Sequence, residues 1–337
     1  MSHILQARFA RTRGGVGLCQ TIARTMMAGA LALLCSLVAP RRAAAQETAV
    51  RPMTLHVGFT RSSFRNVNAS DATAAFRVFA QTAARKRGFS LETDARLFGS
   101  AEDCQAEIRK GNVNMVILDT WDYLEMDIQS TMEPLFAPLE DGTTFREHLV
   151  LTRRGSGLTT LADLRGKNIM VLEGMGGNLS LAWLDSLLFA QHLESNENFF
   201  GKLEPVPRPA GAVLPVFFGT KAACLVDRAA FQVMSELNPQ VGSNLVVTAA
   251  SEPYLENILC LSRSGWLPQD RLDLIKTIGE LHLEPSGRQI LELFKLERIV
   301  PFKDEYLNTA RKLRAGSRKL VAAQTNIRPD PESRRER

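Results

Sequence analysis

Apolar runs of strand length alternate with helix-period segments through the body of this chain, and each run stops at a polar or glycine-rich stretch. Such alternation builds largely parallel sheets flanked by helices, because each crossover must carry the chain back across the sheet. Residues 54–59 read as a first strand. Residues 72–87 read as a helix, with Ala75, Phe76, Phe79 and Ala83 at helical spacing. A second strand is expected over 91–98, and a helix over 101–110 closed by Gly111. A buried strand over 113–118 stops at Asp119. The theme then repeats: a strand over 167–172, a turn over 174–177 and a helix through Ala190. A short strand over 203–207 follows, then a helix over 212–218 interrupted by Pro215, and a strand over 222–226 that stops at Asp227.

Two segments echo one another. His148-Leu-Val-Leu-Thr-Arg153 precedes a glycine turn and a helix-like segment, and so does Ile258-Leu-Cys-Leu-Ser-Arg263. They read as two strands that cross between domains. The expected fold class is therefore α/β: two α/β domains joined by two crossing strands, with a cleft between them. Domain I takes residues 46–148 and 257–314, and domain II takes 149–256. From Ala315 to Arg337 the composition is too polar for a core, and disorder is expected.

The first 45 residues form a separate segment. Arg8, Arg11, Arg13 and Arg24 precede a 13-residue apolar run from Met26 to Val38, and Ala43–Ala45 supply small residues at a cleavage position. The run is shorter than the roughly 20 residues a membrane span needs. The pattern reads as a cleaved export signal that sends the chain to the periplasm. It also explains the basic balance. Of the 41 Lys and Arg residues, six are Arg within this segment, which has no acidic residue; the remainder sets 35 basic against 36 acidic residues. A near-neutral body gives no electrostatic footprint for nucleic acid. After cleavage Cys104, Cys224 and Cys260 remain. Either Cys224 and Cys260 pair as a disulfide, or all three are buried small hydrophobes.

No zinc-binding His-Glu-x-x-His helix, Gly-x-Ser-x-Gly elbow or phosphate loop is present, and no two His residues of the body have metal-ligand spacing. No enzyme, metal or cofactor is expected. His56 and His148 fall in strands as structural residues. The informative positions are strand ends, since open α/β sheets bind ligands outside the carboxyl ends of their strands. Arg61, Ser62, Ser63 and Arg65 follow the first strand. Asp119, Thr120, Trp121, Asp122 and Tyr123 follow the third. Gly176, Gly177, Asn178 and Ser180 open the helix after the crossover, where free N–H groups favour an anion. Arg208 follows the short strand, and Asp227 ends the last. Asp119 and Asp227 are read either as acceptors for an amine or hydroxyl, or as loop caps.

These residues, with the segment from Gly99 to Leu118, Leu161-Ala-Asp-Leu-Arg-Gly-Lys-Asn-Ile169, Gly219 to Asp227 and Ile299-Val-Pro-Phe302, carry a resemblance. Residues from about 54 to 313 resemble the periplasmic substrate-binding proteins of phosphate, phosphite and phosphonate ABC transporters. The resemblance implies a type II periplasmic-binding-protein fold. It also implies a monomer that captures a small polar ligand between its domains and an ABC-transporter permease as partner; a membrane kinase read by the same closure is the alternative. The chain departs from the family pattern at Gly176-Gly177-Asn178, where hydroxyl residues are usual, at Asp119-Thr120-Trp121, and at Arg208-Pro209. These departures favour a ligand with an anionic end and a cationic or hydroxylated end.

Overall fold

The computed structural model describes residues 51–60, 69–86, 89–173 and 177–327. The chain divides into two units, Met1–Ala49 and Val50–Arg337. The first holds the expected export signal and lies outside the described residues.

The second unit opens with β1 (Arg51–Thr60), α1 (Ala69–Lys86), β2 (Phe89–Phe98), α2 (Ala101–Arg109), β3 (Met115–Asp119), α3 (Thr120–Glu125), β4 (Met132–Leu139) and the short β5 (Phe145–Arg146). It continues through β6 (His148–Arg153), β7 (Asn168–Leu172), α4 (Gly177–Ala190), α5 (Asn196–Phe199), β8 (Lys202–Val206), α6 (Pro209–Phe217), β9 (Ala223–Asp227), α7 (Arg228–Leu237), α8 (Pro239–Asn244) and β10 (Leu245–Ala250). It closes with β11 (Tyr254–Leu255), β12 (Asn257–Ser262), α9 (Pro268–Gly279), α10 (Pro285–Leu293), β13 (Arg298–Pro301) and α11 (Asn308–Ile327).

The strands form two large sheets of the same plan. The six-stranded sheet runs β13-β4-β12-β3-β1-β2 and the five-stranded sheet runs β10-β6-β9-β7-β8. In each, the first two strands of the βαβ unit and the third are parallel. In each, the strand that crosses between the sheets lies antiparallel to both neighbours: β12 between β3 and β4, and β6 between β9 and β10. These are the two segments whose sequences echo one another. β6 carries the chain into the second sheet and β12 returns it to the first. The ribbon β5-β11 pairs the two connections, with Tyr254 opposite Arg146.

Local sequence accounts for these elements. β9 (Ala-Cys-Leu-Val-Asp) is buried at all five positions, the continuous apolar run expected of a strand covered on both faces. α2 starts at Ser100, whose Oγ accepts from the Asp103 N–H at 3.1 Å. It ends at Gly111, whose φ of +76° is the left-handed position that glycine reaches without a Cβ penalty. α6 runs through Pro215 to Phe217 instead of being interrupted there. It starts at Pro209, three residues earlier than expected, and buries Ala212, Val213 and Val216.

Two buried clusters hold the body together. One, with Leu55, Val57, Phe59, Met115, Leu259 and Leu261, covers one face of the six-stranded sheet with α9 and α10 residues. The other takes Val116 and Leu118 from the opposite face of β3 and continues through Trp183, Leu184 and Leu188 of α4 into the five-stranded sheet. The odd and even residues of β3 thus part company, as strand alternation requires.

Two expectations need correction. Cys104, Cys224 and Cys260 are all free and buried. Cys224 sits in β9 of the five-stranded sheet and Cys260 in β12 of the six-stranded one, so they belong to different lobes and form no disulfide. The stretch from Ala315 is not disordered up to Ile327, because α11 continues through it. α11 is tied to α3 by Arg314 and Arg318, both on Glu125. Residues 328–337 lie outside the described residues.

Candidate ligand-binding site

The same arrangement occurs at the carboxyl end of the central strand in each lobe. β3 ends at Asp119, which pairs in register with Asn257, the first residue of the crossing strand β12. β9 ends at Asp227, which pairs with His148, the first residue of the crossing strand β6. Each aspartate caps the helix that follows. Asp119 Oδ1 accepts from the N–H groups of Trp121 at 2.6 Å and Asp122 at 3.3 Å. Asp227 Oδ1 accepts from the Ala230 N–H at 2.8 Å. Both side chains are fully buried.

Asp119 lies beside other carboxyl groups. Burial drives its carboxyl well above the usual carboxylate range, and the nearby Asp122 and Glu256 push the same way against the two backbone N–H groups. The neutral form favoured by this setting can donate a hydrogen bond as well as accept one. Asp119 Oδ2 and Thr120 Oγ1 are buried and have no hydrogen-bond partner among the described residues. Thr120 N–H donates to the Glu256 carbonyl at 2.7 Å, which pins the start of α3 to the returning connection. Asp119, Asp122 and Glu256 are all buried, so three carboxyl groups converge on the first-lobe end of the junction.

The second lobe answers with the start of α4. Gly177 is its first residue. Asn178 Nδ2 donates to Asp122 Oδ1 at 2.7 Å, a bond that runs from α4 to α3. Ser180, two residues further, is buried. Arg208 is the N-cap residue of α6 and is exposed, with no capping hydrogen bond from its side chain. Tyr123 points into the shared core, and burial raises its phenol to about 12. Arg61, Ser62, Ser63, Arg65 and Gly176 lie outside the described residues. Asp119, Thr120, Asn178 and Ser180 therefore come from facing elements, whereas Arg208 and Asp227 stand at other strand ends of the second lobe.

Sequence reasoning missed several residues at this junction. The His148 ring lies between Tyr254, stacked at 5.9 Å, and Trp183 at 6.1 Å. The His148 backbone N–H donates to Ser251 Oγ at 2.8 Å, and the His148 backbone carbonyl accepts from the Ser251 N–H at 2.9 Å. Arg228, directly after Asp227, holds Glu147 through Nη2–Oε1 at 2.7 Å. Glu256 was also missed, and Asp122 was placed in the stretch after the third strand without a role. The one available signal was position: Asp227 and Asp119 end strands, His148 starts one echoing segment and Glu256 lies two residues before the other. Among the described residues no group of three or more His, Cys, Asp or Glu side chains is arranged to hold a metal ion. No helix among them is long and apolar enough to cross a membrane.

This chain resembles several solved structures. XAC2383 from Xanthomonas citri, bound to ATP, is 14% identical with a TM-score of 0.58; the alignment covers 80% of this chain and 98% of that one. A binding-protein component of an ABC phosphonate transporter from Pseudomonas aeruginosa is 12% identical with a TM-score of 0.59, over 84% of this chain and 91% of that one. PhnD1 from Prochlorococcus marinus, in complex with methylphosphonate, is 14% identical with a TM-score of 0.53, over 80% and 98%. At such identities the likeness establishes the fold, the two-domain α/β architecture of type II periplasmic binding proteins. No curated protein matches the chain in sequence. Residues 67–307 match the family described as "ABC transporter, phosphonate, periplasmic substrate-binding protein". That match spans most of the chain and includes both lobes and both crossing strands, and the chain belongs to this family of periplasmic substrate-binding proteins of phosphonate ABC transporters.

Proposed function

We propose that this chain is an exported solute-binding protein. It captures a small polar ligand between its two lobes and delivers it to the permease of an ABC transporter, acting as a monomer without catalysis. Membership of a transport family of periplasmic binding proteins supports the role. The lobes are the two domains, and the crossing strands are the hinge about which they close. Contacts made from both lobes favour the closed state, which is the shape a membrane partner can read.

The ligand is a phosphonate- or phosphate-like anion, or a related zwitterion. The start of α4, with Gly176, Gly177, Asn178 and Ser180, takes the anionic group through backbone and side-chain donors. Arg61, Ser62, Ser63 and Arg208 add donors at neighbouring strand ends. Asp119, Thr120 and Asp227 receive the amine or hydroxyl end, and Tyr123 backs that wall. The observation that carries this reading is the meeting of a helix start with buried carboxyl groups: Asn178 of α4 stands 2.7 Å from Asp122, beside Asp119 and Glu256. A zwitterion would insert its two ends between them and replace that bond.

The test is a thermal melt against phosphate, phosphite, methylphosphonate, aminoalkylphosphonates, sulfonates, amino acids and small carboxylates, followed by calorimetric titration of each hit. A ligand at about 100 times its dissociation constant adds roughly 2.7 kcal/mol. Aminoalkylphosphonates are expected to give the largest rise. A panel in which no anion raises the melting temperature would overturn the proposal.

A further inference from the structure

We propose that the first lobe contains a second small-molecule compartment, for a neutral apolar ligand of about benzene size that bears one hydrogen-bond donor. Its walls are separate from the site between the lobes except at Glu256, which borders both. A cavity of about 170 Å³ lies between one face of the six-stranded sheet and helices α1, α9 and α10. Protein interiors seldom leave voids larger than a water molecule. An apolar cavity of about 150 Å³ stays dry and accepts benzene.

The walls define the apolar part. Leu55, Ile117 and Leu259 rise from three adjacent strands of the sheet, and Ile278 and Ile290 come from α9 and α10. Phe76, Ala80 and Ala84 line it from α1. Their spacing of four puts them on one helix face. Two of the three are alanines, so α1 stands over the space without filling it. The Phe76 ring meets Phe59 edge-on at 5.7 Å and closes one side.

The other end is polar. Asn257, Glu256 and Arg146 border it. Arg146 is neutralised by Glu140 at 2.6 Å, which leaves no unpaired Lys or Arg among the described lining residues to attract an anion. Asn257 Oδ1 is buried and has no hydrogen-bond partner among the described residues. A buried acceptor without a donor is costly, and a donor on the occupant satisfies it. Water suits the polar end only, because a buried water needs two to four polar partners and most of this wall is hydrocarbon. The combination selects a ring or short alkyl body carrying a hydroxyl or N–H.

The test uses the full chain and an isosteric pair of probes, benzyl alcohol and ethylbenzene, followed by calorimetry and by methyl NMR. Both are expected to bind saturably, with benzyl alcohol at least fivefold tighter. Contacts should appear between the ring protons and the methyls of Ile117, Ile278 and Ile290. Ala84→Leu should weaken both probes at least tenfold, and Asn257→Leu should erase the preference for the alcohol. Absence of saturable binding, or of those methyl contacts, in the unaltered protein would overturn the compartment whether or not the variants fold. Undiminished binding by a folded Ala84→Leu variant would do the same. Equal affinities for the two probes would overturn the donor assignment. None of these readouts requires the interlobe ligand.

Discussion

Asp122 Oδ1 accepts a hydrogen bond from Asn178 Nδ2 at 2.7 Å, and this bond joins α3, on the six-stranded sheet, to α4, which follows β7 of the five-stranded sheet. A partly exposed hydrogen bond of this kind contributes about 1 kcal/mol. Asn178→Ala should therefore shift the balance between closed and open lobes by roughly fivefold toward open. Small-angle scattering should record a larger radius of gyration without ligand. An unchanged radius would mean that other contacts hold the lobes together.

Asp119 makes stability depend on pH. Its folded carboxyl lies above the usual carboxylate range because it is buried beside Asp122 and Glu256. The folded state therefore holds its proton more tightly than the unfolded chain does. The resulting stabilisation is fully present below the unfolded value of about 3.9 and is lost as pH rises through the elevated folded value. Asn caps a helix about as well as Asp. Asp119→Asn should match the unaltered protein near pH 4 and melt at a higher temperature near pH 8. Asp185, also raised by burial, contributes equally to both proteins and cancels in the comparison. Parallel melting curves across that range would refute the assignment.

Asp227 is a structural cap as well as a strand end. Asp227→Ala leaves the Ala230 N–H without its 2.8 Å acceptor and should cost about 0.5–2 kcal/mol. Asp227→Ser should recover most of that. Chemical denaturation of the two variants measures the difference; equal losses would mean the carboxylate serves another purpose.

α11 is fixed to the body by buried residues more than by its ion pairs. Leu313 is buried in the cluster that contains Trp183 and Leu188 of α4. Leu313→Ala should cost about 2–5 kcal/mol. Glu125→Ala, which releases the partly exposed Arg314 and Arg318, should cost no more than about 1 kcal/mol. The ratio of the two losses in denaturant melts checks the order.

The three thiols should be inert in the folded protein. Burial raises Cys104 to about 12 and pushes Cys224 and Cys260 higher still, so thiolate is scarce. Alkylation followed by peptide mapping should label all three only after unfolding. A melting temperature lowered by reductant would instead reveal a disulfide.

The parallel strands were legible because β3 and β9 are covered on both faces and read as unbroken apolar runs. β4 was not. It contains Pro134 and Pro138, residues that argue against a strand, and it holds its place by pairing with β12 and β13 from more than a hundred residues downstream. β5 and β11 have two residues each, too few for a period. The polar stretch after Ala315 looked unable to enter a core, yet α11 is anchored by Leu307, Ala310 and Leu313 before it and continues. At the site, the strand-ending aspartates could be read from position alone. His148 and Ser251, 103 residues apart, meet only through the return of the chain, and no local pattern announces such a meeting.

That meeting has a topological consequence. The backbones of His148 and Ser251 lie within 2.9 Å, N to O, where the chain enters the five-stranded sheet and where it leaves. The second lobe is thus a cassette spliced into a loop of the first, with its two cut ends side by side. A graft exchanging residues 148–251 for the matching stretch of a relative would disturb one small patch of backbone. It could carry half of a binding surface from one protein to another while leaving the host lobe's own chain path closed.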